Sequence, residues 1–193
     1  MKLIAVTGGI GAGKSRATRE FSKLGADIIS ADKISHEVMK KYGLAYNETV
    51  NFFGRDILLE NGEINRAALG KIVFSNSEKL KKLNDITHKH IFAGINDAIK
   101  KSKADVVCVE VPLLFTSKCP IDFDLTIAVI ADDDIRVKRV MNRDNCTEEE
   151  ARMRMAKQLG NEEYKKLADV TIENNGNKDT FRQNIVRIYN ELI

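Results

Sequence analysis

Five short apolar runs limit what this chain can fold into: KLIAVT (2–7), ADIISA (26–31), DVVCVEV (105–111), DLTIAVI (124–130) and ADVTIE (168–173). Each is rich in Val and Ile and nearly continuous rather than alternating. That is the pattern of strands covered on both faces, as in a parallel sheet between two layers of helices. Helical patterns lie between the runs, so their order predicts a doubly wound α/β fold with a five-stranded parallel sheet. Residues 32–104 hold no strand pattern and read as a helical insertion after the second strand. Residues 132–167 read as a second, highly charged helical insertion, in which TEEE (147–150) has the Thr-x-x-Glu form of a capping box. A last helix runs from about Lys178 to Leu192. The expected organisation is a single domain over 1–193, with a core of 1–31, 105–131 and 168–193 carrying the two insertions.

GGIGAGKS, residues 8–15, follows the first strand and opens a helix. It matches G-x-x-x-x-G-K-[ST], and strand-then-helix is the context that makes the match meaningful. Glycines let backbone N–H groups turn inward onto phosphate oxygens. The N-terminus of the following helix adds its dipole. Lys14 is expected to reach the β- and γ-phosphates, and the Ser15 hydroxyl to bind Mg²⁺.

Other candidates are placed by the strands. Asp32 follows the second run, at the end of the sheet where ligands collect. It reads either as a base for an attacking hydroxyl or as the N-cap of a helix over 33–41. Glu110, at the end of the third run, reads as a carboxylate that holds Mg²⁺ through water, or as a structural acid. Arg136, Arg139 and Arg143 recur at helical spacing, followed by Arg154 and Lys157. They read as a solvated face, or as a lid that brings charge to a phosphoryl group in transfer.

Composition removes several classes. Lys+Arg is 31 against Asp+Glu 28, a net charge of +3, which suits a local anion site rather than bulk nucleic-acid binding. No stretch approaches a membrane span, and the chain enters its first strand without a signal-peptide layout, so a cytoplasmic protein is expected. Cys108, Cys119 and Cys146 form no disulfide or zinc pattern. His88 and His90 do not share a helix face, and His36 adds no metal constellation. NKDT (177–180) is not an N-K-x-D guanine motif, and no D-x-x-G switch occurs. A small-molecule kinase remains.

The chain resembles the dephospho-CoA kinase family over nearly its whole length. TGGIGAGKS, SADKISHEV, FFGRDILLENGEINRAALGKIVF, ITHKHI, VEVPLLF, RVMNRDNCTEEEARMRMAKQ and ADVTIENNG carry the likeness. The resemblance implies ATP-dependent phosphorylation of the 3′-hydroxyl of dephospho-CoA, with Mg²⁺ and no nucleic-acid or membrane partner, by a monomer or weak homo-oligomer. A kinase for another small acceptor, such as a nucleoside monophosphate, is the alternative. It further implies a nucleotide cradle of Gly11, Ala12, Gly13, Lys14, Ser15 and Arg16, with Asn175 in the turn behind the base. Asp32, Lys14, Arg139 and Arg143 are the implied catalytic residues. Asp32, Arg66 and His88 are implied for the acceptor, and Ser15 and Glu110 for the metal. The sequence departs from the family pattern at Arg16, where Thr is expected, and at Ser30 and Glu110, where Asp is expected.

Overall fold

All five runs are strands in the computed structural model, which describes residues 1–117 and 119–193. They are β1 (Lys2–Thr7), β2 (Asp27–Ser30), β3 (Val106–Glu110), β4 (Leu125–Ile130) and β5 (Val170–Glu173), joined in one sheet in the order β2-β3-β1-β4-β5. The β1–β3, β1–β4 and β4–β5 ladders are parallel. Val6 of β1 lies opposite Glu110 on one side and Ile127 on the other. The connections leave β1 in both directions, and ligands of open α/β sheets sit beyond the carboxyl ends at such a reversal.

Helices are α1 (Lys14–Lys23), α2 (Ala31–Met39), α3 (Tyr46–Phe53), α4 (Arg66–Phe74), α5 (Ser77–Lys101), α6 (Asp133–Asp144), α7 (Glu148–Met155), α8 (Asn161–Leu167) and α9 (Lys178–Leu192). The chain divides into two compact units, residues 1–29 with 101–193, and residues 30–100.

The first unit explains the continuous apolar runs. On one face of its sheet Ile4, Val6, Cys108, Ile127, Val129 and Ile172 pack with Ala17 and Phe21 of α1 and Phe181, Ile185 and Ile188 of α9. Ala128 and Ile130 pack with Tyr164 of α8. With both faces covered, the central positions of β1, β3 and β4 are apolar. Burial drives the Cys108 thiol far above its ordinary pKa, so it is inert packing. The charged 132–167 segment belongs to this unit. Val137 and Val140 of α6, Ala151 and Met155 of α7 and Ile10 of the β1–α1 loop share one cluster. Thr147 and Glu150 form the capping box read from TEEE.

The second unit is helical and has its own core of Val38, Met39, Ala45, Ile57, Ile64, Leu69, Val73 and Ile86. A turn through Gly62, where φ is +81°, brings Leu58 and Ile64 into an isolated antiparallel bridge. The Tyr46 hydroxyl donates to the Gly62 carbonyl. Asn65 caps α4 by accepting from the Ala68 N–H at 3.1 Å. One helix corrects the sequence reading at both ends, since α2 closes at Met39 and not at 41. α2 begins at Ala31, not at 33, because Ser30 is its N-cap and accepts from the Lys33 N–H. The Asp32 carboxylate lies in the first turn and is not the cap. Among the described residues no helix is long and apolar enough to cross a membrane.

Phe21 is fully buried between sheet and helix. Phe21→Ala should lower unfolding stability by about 3–5 kcal/mol. Urea denaturation should show this as a lower midpoint at unchanged slope.

Candidate active site

The β1–α1 loop carries four glycines, and three of them take backbone conformations that a Cβ would strain. Gly8, Gly11 and Gly13 have φ of +137°, +77° and +107°. A Cβ on Gly8 would lie 2.1 Å from the Val129 carbonyl oxygen, so the loop leaves β1 tight against β4. Gly13 then caps α1 with no side-chain hydrogen bond, and the first turn holds no acid. The first turn of α1 therefore brings no acid of its own to the positive end of the helix dipole. Ala12 and Arg16 are exceptions within this cradle, since their N–H groups already donate to the Gly9 (3.2 Å) and Gly13 (3.0 Å) carbonyls.

Side chains converge on the loop from three directions. Lys14 Nζ donates to the carbonyls of Gly8 (2.9 Å) and Gly9 (3.3 Å). The Ser15 hydroxyl donates to Glu110 Oε1 at 3.1 Å, and Thr18 to Oε2 of the same carboxylate at 3.4 Å. This follows from register, since Glu110 ends the strand beside β1. From the turn after α7, Gln158 Oε1 accepts from the Ile10 N–H at 2.6 Å.

The α6 arginines do not act as one face. Arg136 is 2% exposed and points under the loop. Its Nε donates to the Ile10 carbonyl at 3.0 Å and its Nη1 to Asp133 at 3.0 Å. Its Nη2 lies against Gly9, buried and with no hydrogen-bond partner among the described residues. Arg139 donates through Nη1 to the carbonyls of Gly11 (3.2 Å) and Ala12 (3.4 Å), and through Nη2 to that of Asn174 (2.8 Å). Burial, together with the nearby charge of Arg16, lowers its pKa. Arg143 turns outward and pairs with Asp144 at 2.7 Å, which also accepts from Arg154 at 2.8 Å. The hydrogen bond from Arg143 is the main cause of the lowered Asp144 pKa.

Asn175 ties two loops together, accepting from the Asp132 N–H and donating to its carboxylate, both at 2.9 Å. Its neighbour Asn174, missed from the sequence, is the one inside: it is 2% exposed and donates to the Ala12 carbonyl at 2.7 Å. The alternation along β5 held the signal. Ile172 is inward, and two residues on Asn174 must share its side.

The remaining candidates lie in the second unit: Asp32 in the first turn of α2, Arg66 opening α4 and His88 within α5. His88 packs edge-on against Phe92. Partial burial lowers its pKa despite the nearby charge of Asp85, which favours the neutral ring. Among the described residues no cluster of three His, Cys, Asp or Glu is placed to hold a metal.

The phosphate cradle agrees with comparison to known proteins. The dephospho-CoA kinase family model matches residues 2–180. A dephospho-CoA kinase of Carboxydothermus hydrogenoformans is 39% identical over 191 residues, covering 97% of this chain and 93% of its own. A solved dephospho-CoA kinase from Campylobacter jejuni superposes with a TM-score of 0.69 at 33% identity, over 100% of this chain and 98% of its own. A crystal structure of a Thermus thermophilus protein superposes with a TM-score of 0.89 at 27% identity, over 100% and 98% of the two chains. A match to the family model across nearly the whole length, with relatives at this identity and coverage, means that the chain belongs to the dephospho-CoA kinase family.

Proposed function

We propose that this chain transfers the γ-phosphoryl group of ATP to the ribose 3′-hydroxyl of dephospho-CoA, giving coenzyme A and ADP in the cytoplasm. The observation that carries the reading is the start of α1 behind the glycine loop, which has no side-chain cap and no acid of its own in the first turn, in a chain of this family. That end of the helix attracts the phosphates electrostatically, and the N–H groups of Gly11, Gly13 and Ser15 supply donors for them. Lys14 Nζ, satisfied by the Gly8 and Gly9 carbonyls, exchanges them for phosphate oxygens when ATP enters.

The Ser15 hydroxyl and, through water, the Glu110 carboxylate are the residues that would hold Mg²⁺. Both are hard oxygen donors, 3.1 Å apart, which suits this ion. When bound, Mg²⁺ neutralises charge developing on the β- and γ-phosphate oxygens. Asp32 accepts the proton of the acceptor hydroxyl as its oxygen bonds to phosphorus and the bond to ADP breaks. Arg66 and His88 are the proposed acceptor contacts, and Asn175 lies in the turn behind the base. Arg139, already against the loop, and Arg143 with Arg154, once released from Asp144, meet the transferring phosphoryl group or the adenine. A monomer or weak homo-oligomer is the proposed working form.

Coupled ADP-release assays should show strong stimulation by dephospho-CoA and little by AMP, shikimate or gluconate. Equal or absent stimulation by dephospho-CoA overturns the acceptor. Asp32→Asn should lower kcat by about 10²–10⁴-fold while the KM for ATP changes little, as loss of a base predicts. An unchanged kcat removes Asp32 from proton transfer. Chelating divalent ions should abolish turnover, and titrating Mg²⁺ back should restore it more weakly in Ser15→Ala than in the parent chain.

A further inference from the structure

The Arg16 side chain is not needed for a phosphate loop, yet it is held on both of its surfaces. Its guanidinium carbon stacks 4.7 Å from the centre of the Phe181 ring on α9. Its Nη1 donates to Asn174 Oδ1 at 3.0 Å. Asn174 Nδ2 in turn donates to the Ala12 carbonyl at 2.7 Å.

A side-chain amide has one acceptor end and one donor end. With Arg16 beside it, only one orientation works. Flipped, the amide would set its oxygen against the Ala12 carbonyl and its NH₂ against a cation. Arg16 thus fixes which end of Asn174 meets the loop. The amide also lies flat on Gly13, where a Cβ would sit 2.1 Å from Nδ2. The Ala12 carbonyl and the Gly13 N–H belong to one planar trans peptide and point opposite ways. Holding the carbonyl on the outside therefore holds the N–H on the inside, toward the cradle. Arg139 grips the same asparagine by its main-chain carbonyl, which leaves the amide rotation to Arg16.

We propose that Arg16 is a positioning residue for nucleotide binding: through the Asn174 amide it fixes the Ala12–Gly13 peptide in the orientation that offers its N–H to a phosphate. This rests on the phosphate-cradle reading of the loop and not on the identity of the acceptor.

The test is direct calorimetric binding of ADP with Mg²⁺, without acceptor, to the parent chain and to Arg16→Ala, Arg16→Lys, Asn174→Ala and the Arg16→Ala/Asn174→Ala double variant. Each alanine variant should weaken ADP about tenfold, and the double variant also about tenfold rather than about hundredfold, because both break one link. Arg16→Lys keeps a donor for Oδ1 and should stay within about threefold of the parent. In turnover, Arg16→Ala should raise the KM for ATP and leave kcat and the acceptor KM within about twofold. Parent-like ADP binding by Arg16→Ala, or additive losses in the double variant, overturns the proposal. If Asn174→Ala does not fold, failure of Arg16→Lys to recover the binding lost in Arg16→Ala overturns it. A wrong acceptor would abolish turnover in the parent chain while leaving the ADP-binding pattern in place.

Discussion

A peptide group presents its carbonyl and its N–H on opposite sides, and the loop between β1 and α1 is gripped mainly by one of them. Lys14, Arg136, Arg139 and Asn174 all donate to its carbonyl oxygens. The loop has few side chains of its own to hold it, and its glycines give the backbone freedom that a rigid site must remove. Donors from α1, α6 and the end of β5 remove that freedom by holding those carbonyls. The inner face keeps its N–H groups for an anion. The exceptions are the Ile10 N–H, held by Gln158, and the Ala12 and Arg16 N–H groups, which donate to the Gly9 and Gly13 carbonyls.

This division explains the use of arginine here. A guanidinium has five donors and no acceptor, so it can hold two or three carbonyls at fixed angles and still carry charge. Arg139 bridges the loop and the end of β5 in this way, and Arg136 fastens the loop to α6. The same residues give a positive field to a protein whose net charge is only +3. Structural support and attraction for phosphate are supplied by the same atoms.

Much of this was legible in the sequence. The five strands were readable because burial on both faces leaves a continuous apolar run, which no surface element imitates. The capping box at Thr147 and Glu150 was readable because both partners lie within one helical turn. The start of α2 was misread by two residues, because Ser30 and Asp32 are both good caps and only the backbone decides between them. Arg136, Arg139 and Arg143 looked equivalent at helical spacing. They differ because α6 packs its Val137 and Val140 side down on α7 and the loop, burying one arginine and exposing another. The pairing of Arg16 with Asn174 spans 158 residues, and no local pattern encodes it. In the second unit, Asp32 was placed by the strand before it and Arg66 and His88 by family likeness, and the three have no hydrogen bond or ion pair to one another among the described residues.

The unpartnered Nη2 of Arg136 has an implication for engineering. A buried donor without a partner costs about 1–3 kcal/mol, so this position is an obvious target for anyone seeking a more heat-resistant protein. Replacing the arginine with an apolar side chain would relieve that burden. It would also release the Ile10 carbonyl and empty the space against Gly9. Thermal resistance and the stiffness of the phosphate loop are thus set against each other at one side chain, and selection for the first would be expected to soften the second.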